Sequence, residues 1–264
     1  MGKPNDAMTL REALRQEVRF FYDLQRIRIA QKNRVSRRLE FDDAVLEKKH
    51  RKWFDAEGEH IRALERSALR SVKALCQKFA VYPWLEAVKG VGPTISGVIL
   101  SEFDIRIAVR PSQFWAFAGL HVEDQHSPKP RKGEKLRWNR WLRSKLLKVL
   151  GDCLLKANNP VYRPIYDDYK SRLQNRLGPC SCCGGTGKAK DAETKKEKPC
   201  WNCDGGKLAD RAPWGKSDAH RHQAAIRYAV KMFVLDLWKA WREAEGLPVV
   251  PPYHEAKLGL KHAG

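Results

Sequence analysis

No stretch of this chain reaches the ~18 uninterrupted apolar residues that a bilayer span needs, so a membrane-spanning helix is excluded. The opening MGKPNDAMTLREAL lacks the apolar core of a secretory signal, and Asp6 stands where a myristoylation pattern has Ser or Thr. A cytoplasmic protein without a membrane partner is therefore expected, nucleoid-associated if bacterial or phage. Acidic residues are scarce: 31 Asp and Glu face 51 Lys and Arg, a net charge of +20 that predicts attraction to a polyanion. Runs alternating at the two-residue strand period are missing, and apart from two cysteine knuckles there is no internal repeat. Proline and glycine are absent from Thr9 to His50, which removes the usual helix breakers from that stretch.

What is present suits a mainly α protein of one or two domains: 264 residues, 42% hydrophobic and 31% charged. Residues 1–80 read as a helical hairpin or coiled coil. Leu10, Leu14, Phe21, Leu24, Val35 and Leu39 mark one long helix, broken near Phe41. Ile61, Leu64, Ala68, Val72, Leu75 and Phe79 mark a second that follows Gly58 and ends before Pro83. The pair either packs on its own domain or forms a homodimer, since its heptads are irregular. The acid-free run Arg26, Arg28, Lys32, Arg34, Arg37 and Arg38 is either a solvated face or a nucleic-acid contact. Residues 81–177 and 207–248 read as a helix-hairpin-helix core, 178–206 as a small zinc-binding insertion, and 249–264 as an extended tail. The apolar run from Ala224 to Trp241 predicts a largely buried last helix, with Ser217 as its cap.

From Cys180 to Gly206 there is almost no large apolar side chain, so the segment cannot fold on a core of its own. Cys180-x2-Cys183, sixteen residues, then Cys200-x2-Cys203 can place four thiolates around one structural zinc per chain. Four unrelated thiols are the other reading of that spacing. The first knuckle, CSCCGGTG, resembles half of the zinc module of J-domain co-chaperones, and the second, CWNCDGGK, keeps only its first glycine. The chain has no His-Pro-Asp tripeptide, so the likeness implies a metal module and not a chaperone. Cys76 and Cys153, in apolar helical contexts, read as structural.

LEAVKGVGPTISGVIL, residues 85–100, carries a second signal. Gly90, Val91 and Gly92 form a turn whose N–H groups, with that of Thr94, can face a phosphate at the start of a helix opened by Pro93. Ser96 and Gly97 are small enough for close helix crossing. This resembles a helix-hairpin-helix, which grips the DNA backbone without reading bases. A purely structural turn is the plain alternative. A third signal lies between Lys129 and Lys148, with nine Lys or Arg, one acid, Glu134, and two interleaved tryptophans. Lys129, Arg131, Lys132, Lys135, Arg137, Arg140 and Arg143 are the candidate phosphate contacts, on a loop and a helix; on the helix, Arg137, Arg140 and Lys148 form a basic face apart from the apolar face of Leu142, Leu146 and Leu150. A solvated face is the competing reading.

The order VKGVGPTISGVILSE, FWAFAGL, a loop with QHS, NRWLRSKLLK, NPVYRPIYDDYKSRL and AHRHQAAIRYAVKMFVLDL resembles the C-terminal transposase domain of the bridge-RNA-guided insertion-sequence recombinases. The match covers roughly 55–177 and 215–245, with the zinc segment inserted between the last two helices. The resemblance implies that the serine after the A-x-x-G-L segment, Ser127 beside His126, is the nucleophile that attacks the scissile phosphate. Pro128 and Pro130 follow where the family usually has glycine. Family members also carry an acidic, metal-binding nuclease domain, for which the basic, helical N-terminal part has no sequence. Glu102, Asp104, Asp167 and Asp168 read as solvated or paired rather than catalytic.

Sequence-tolerant binding of duplex or branched DNA is therefore the expected activity. Serine-dependent strand transfer, with magnesium and a separate nuclease chain, is the enzymatic alternative, because an unactivated serine is a poor nucleophile. RNA binding is a third class that the charge fits equally well.

Overall fold

The structure is a computed structural model; it describes residues 9–36, 44–123, 127–175, 182–183, 186–190, 197–200 and 218–250. The chain is mainly helical, as its composition and periodicity predict. It divides into two compact units, residues 1–114 with 238–250, and residues 115–237 with 251–264. No described helix is long and apolar enough to cross a membrane.

In the first unit, α1 (Leu10–Ser36) starts with a capping box: Glu12 Oε2 accepts from the Thr9 N–H at 2.9 Å, and Thr9 Oγ1 accepts from the Glu12 N–H at 3.3 Å. The stripe of Leu14, Val18, Phe21 and Leu24 is buried, as the spacing of Leu14, Phe21 and Leu24 predicts. α2 (Ala44–Cys76) runs antiparallel to α1: Arg28 Nε meets Glu65 Oε2 at 2.5 Å, and Gln31 Nε2 donates to the Phe54 carbonyl at 2.5 Å. The expected start of the second helix after Gly58 is corrected, because α2 begins at Ala44 and passes straight through Gly58. A β-carbon there would meet the Gln31 amide at 3.3 Å, so this glycine marks a close approach of two helices rather than a helix end. Residues 37–43, with the expected break near Phe41, lie outside the described residues.

α3 (Tyr82–Ala87) and α4 (Pro93–Glu102) follow, joined by a short turn, and α4 packs against both α1 and α2. A β-carbon on Gly97 would stand 2.7 Å from Val18 Cγ2 and 2.8 Å from Val72 Cγ1, so the small residue predicted for a close crossing sits at that crossing. Glu102 closes the helix, 2.8 Å from Arg19 and 3.5 Å from Arg15. Cys76 is buried, and desolvation pushes its thiol up to about 12, as befits a structural cysteine. The last turns of α9 (Asp218–Ala244) tie to Ala108, whose carbonyl accepts from Trp238 Nε1 at 2.8 Å and Arg242 Nη1 at 3.1 Å.

The second unit starts within α5 (Pro111–Phe117) and continues through α6 (Arg140–Ser144), a π-helical turn (Lys145–Leu150) and α7 (Gly151–Lys156). Leu142, Leu146, Leu150 and Leu154 are all buried. A strict step of four drifts about 40° per step around an α-helix; the wider π-turn takes up that drift and keeps the leucines on one side. Gly151 permits contact with α9, since its β-carbon would lie 2.6 Å from Ile226 Cγ2. α8 (Tyr162–Asn175) follows, with the Tyr162 hydroxyl donating to Asp236 Oδ2 at 3.0 Å. α9 is largely buried from Ala225 to Trp241, as predicted, while Ser217 lies outside the described residues. Strands were not expected, yet β1 (Lys188–Lys190) and β2 (Glu197–Pro199) pair antiparallel within the cysteine insertion. Three-residue strands held by a hairpin carry too little alternation to be read from sequence.

Gly97→Ala forces two buried valines apart and is expected to destabilise the chain by about 1–3 kcal/mol. Denaturant unfolding followed by far-UV circular dichroism measures that loss.

Candidate nucleic-acid interface

The turn between α3 and α4 is built by glycine. Val91 N–H donates to the Val88 carbonyl at 3.0 Å, and Gly90 between them has φ +96°, the backbone of a type II turn. Gly92 then caps α4 with no side-chain partner, Pro93 opens the helix, and Gly92 is exposed. The N–H groups of Gly92, Thr94 and Ile95 have no protein partner among the described residues, leaving the positive end of α4 unsatisfied. Space around Gly92 is open: a β-carbon would meet nothing within 4 Å.

Ser127 belongs to the second unit and is positioned by a helix cap. α5 ends in a Schellman motif, with Leu120 N–H on the Trp115 carbonyl at 2.7 Å, Gly119 N–H on the Ala116 carbonyl at 3.0 Å, and Gly119 at φ +65°. That is the A-x-x-G-L segment: glycine supplies the left-handed backbone, and Leu120 is buried completely. The cap leaves the Gly119 and His121 carbonyls accepting from Arg227 Nη2, at 3.4 and 2.5 Å. Arg227 Nη1 donates to Ser127 Oγ. From the other side Arg143 Nη2 donates to the same Oγ at 2.5 Å, while its Nη1 donates to the Pro128 carbonyl at 3.1 Å. Lys231, one turn beyond Arg227, lies with its Nζ 4.3 Å from the Trp115 ring centre.

These cations are costly where they are. Burial lowers the pKa of Arg143; burial and then Arg143 lower that of Arg227 to about 10; burial and then Arg227 lower that of Lys231. Both arginines remain charged at neutral pH. Among the described residues no carboxylate pairs with any of them. Arg143, predicted as a phosphate contact, is half-buried against Ser127 and Trp138. His121 has its Nε2 3.0 Å from Glu123 Oε1 and its Nδ1 buried without a partner. His126 lies outside the described residues.

The remaining basic residues are exposed. Lys129, Arg131, Lys135 and Arg137 line one open cleft of about 460 Å³ with Trp138 and Glu134. Arg137 precedes the helix rather than lying on it, because Asn139 is the cap: its Oδ1 accepts from Leu142 N–H at 3.0 Å. Lys132 and Arg140 lie on the surface outside that lining. The four carboxylates read as paired are so: Glu102 with Arg19, Asp104 with Arg11, Asp167 with Arg163 and Asp168 with Arg172.

Of the four expected zinc ligands, Cys183 and Cys200 are described and Cys180 and Cys203 are not; no set of three or more metal-ligating side chains occurs among the described residues. The donor chemistry present fits a zinc knuckle. Gly187 N–H points at Cys183 Sγ at 3.3 Å, a hydrogen bond that favours a thiolate, and Cys200 is buried with its N–H on the Gly187 carbonyl at 2.9 Å.

Arg227, Lys231 and His121 were not singled out from sequence. The available signal was two cations one turn apart, Arg227 and Lys231, in the mostly apolar Ala224–Trp241 run, where a charge needs a reason. No family model, curated protein or solved structure matches this chain.

Proposed function

We propose that this chain binds duplex or branched DNA through its phosphate backbone, with little preference for base sequence, and that it is related to the transposase domain of the bridge-RNA-guided recombinases. The observation that carries the reading is the α3–α4 turn, which leaves three backbone N–H groups unpartnered around an exposed glycine at a helix N-terminus. The net charge of +20 and the basic cleft support it. One zinc per chain on Cys180, Cys183, Cys200 and Cys203 stabilises the insertion. Exposed Phe20, Ile27, Trp53 and Leu64 on α1 and α2 support a second copy of the chain as partner.

One observation favours serine-dependent strand transfer as a second reading. Two guanidinium groups converge on Ser127 Oγ, and charge-assisted hydrogen bonds of that kind stabilise a developing alkoxide. In such a step Oγ loses its proton to a base and bonds to phosphorus. The bond from phosphorus to the leaving sugar oxygen breaks, and that oxygen takes up a proton. The acidic, metal-binding partner would come from a separate chain with magnesium.

Gly92→Val leaves the protein interior undisturbed, because the space is open, and costs the fold only about 1 kcal/mol in cap preference. It is expected to weaken binding to unrelated duplexes alike, about tenfold, by fluorescence anisotropy. Replacing Arg137 and Arg140 by Gln lowers the salt slope by about two. A sequence-selective loss, or tighter binding of structured RNA at equal salt, would replace this reading. Cys183→Ser is expected to release the zinc, measured by metal analysis, with most of the helical signal retained. For the second reading, nicked DNA and magnesium should give no denaturation-resistant complex with this chain alone. A complex that appears with the separate nuclease chain and vanishes in Ser127→Ala establishes strand transfer.

A further inference from the structure

We propose that the loop between α4 and α5 is an apolar wedge for double-stranded DNA. Ile107 and Val109 enter between base pairs from the minor groove, Arg106 and Arg110 meet the phosphates on either side, and the duplex kinks. The inference deepens the DNA-binding reading and rests on it. It adds a contact that deforms DNA to the one at the α3–α4 turn that grips it.

Isolated apolar side chains on a surface are common, but these two are held out by the fold. Ile107 is 70% exposed, more than any other large hydrophobic side chain among the described residues, and Val109 is 51% exposed. Their neighbours Phe103, Ile105 and Ala108 are buried. Two donors buried beneath the loop, Trp238 Nε1 and Arg242 Nη1, hold the Ala108 carbonyl at 2.8 and 3.1 Å. Around it, Ala108 N–H donates to the Asp104 carbonyl at 3.2 Å, Val109 N–H to the Ile107 carbonyl at 3.1 Å, and Arg106 N–H to Asp104 Oδ1 at 3.1 Å. With Ala108 pinned inward, the residues on either side of it face solvent. The loop has no glycine through which the backbone could turn them in. Both side chains are β-branched, with restricted χ1, so the tip is stiff as well as apolar.

Charge around the tip selects the occupant. Arg106 and Arg110 flank it and are exposed, and among the described residues neither has a carboxylate partner. Asp104, the one acid between Phe103 and Pro111, is taken by Arg11. A partner must therefore offer an apolar interior between anionic edges. The minor groove of a duplex has that arrangement, because phosphates line both sides and a separated base step exposes apolar base faces. Two aliphatic side chains are too few to hold a lipid surface, where even a whole acyl chain binds only marginally. α4 has 10 residues and a length of about 15 Å, so a single duplex can reach both the amide turn at its start and the tip beyond its end.

The test measures, by fluorescence energy transfer, the end-to-end distance of a duplex of about 20 base pairs with a central TA step, which kinks readily, bound by the full chain. Such a duplex is ~68 Å long, and a kink of about 60° shortens it by ~9 Å. Wild type, the exposed control Val161→Ala and Ile107→Leu, which keeps a wedge, should all give that shortening. Ile107→Ser combined with Val109→Ser should lose more than half of it, with affinity within about tenfold of wild type and an unchanged salt slope, since no phosphate contact is removed. Replacing Arg106 and Arg110 by Gln should lower the salt slope by about two. Because both apolar side chains are exposed, the melting temperature should stay within about 3 °C of wild type. If the paired serines lower it further, Ile107→Ala takes their place and should lose about half of the shortening. Full shortening by the serine or alanine variant, or an unchanged salt slope in the arginine variant, overturns the wedge. So does a duplex that wild type binds without shortening, an outcome that leaves the DNA-binding reading standing. A wild type that binds no duplex overturns that reading and the wedge with it. Ile107-dependent binding to phosphatidylserine vesicles, or Ile107-dependent dimerisation in sedimentation, with the duplex unshortened, overturns the wedge and assigns the tip to a membrane surface or a second copy.

Discussion

Gly119 sits at φ +65°, and a β-carbon on it would press 2.7 Å from Trp138 Cδ1 and 3.1 Å from Arg143 Cδ. Everything around Ser127 is arranged from this point. The left-handed backbone ends α5, turns the chain so that Leu120 enters the core, and leaves carbonyl oxygens exposed for Arg227. Absence of a side chain lets Trp138 lie against the cap, and Arg143 stacks near that ring, 5.6 Å from its centre. An L-residue at 119 would meet both the strained backbone and the indole.

The same economy serves the first unit. Gly97 is small because α4 crosses two valines from two different helices, and Gly90 is glycine because the turn before α4 needs a positive φ. Packing of this kind holds α4 rigidly at its buried end while its N-terminus remains open. Rigid placement matters for a phosphate grip, since unpartnered amides attract an anion only where the backbone does not collapse onto other acceptors. The α3–α4 turn and the surroundings of Ser127 thus rest on a common device: glycine makes the approach possible, and a buried apolar helix face fixes it.

Charge is handled differently in the two places. Acidic residues of the first unit are spent on arginines, as with Glu102 and Glu65, so the basic excess there is partly neutralised. Around Ser127 the described acceptors are carbonyls and a hydroxyl, which satisfy hydrogen-bond geometry without cancelling charge. Neutral acceptors leave the field of two guanidinium groups in place, and a partly desolvated field acts more strongly on an anion than one in water.

Features set by short spacing were legible in the amino-acid order. The helical class, the buried stripes of α1 and α9, the glycine turn after Val88 and the close crossing at Gly97 each depend on residues within a turn or two of one another. The helix through Gly58 was misread because an interhelical approach and a helix end use the same residue, and only the partner, Gln31, distinguishes them. Arg143 looked like its exposed neighbour Arg140, since periodicity assigns a face but not what that face meets. Ser127 and Arg227 are a hundred residues apart. Their meeting depends on α9 packing against α7 at Gly151 and on the cap at Gly119, long-range contacts that no local pattern encodes. Local order determined which elements form; tertiary packing alone decided that two arginines and a serine share one point in space.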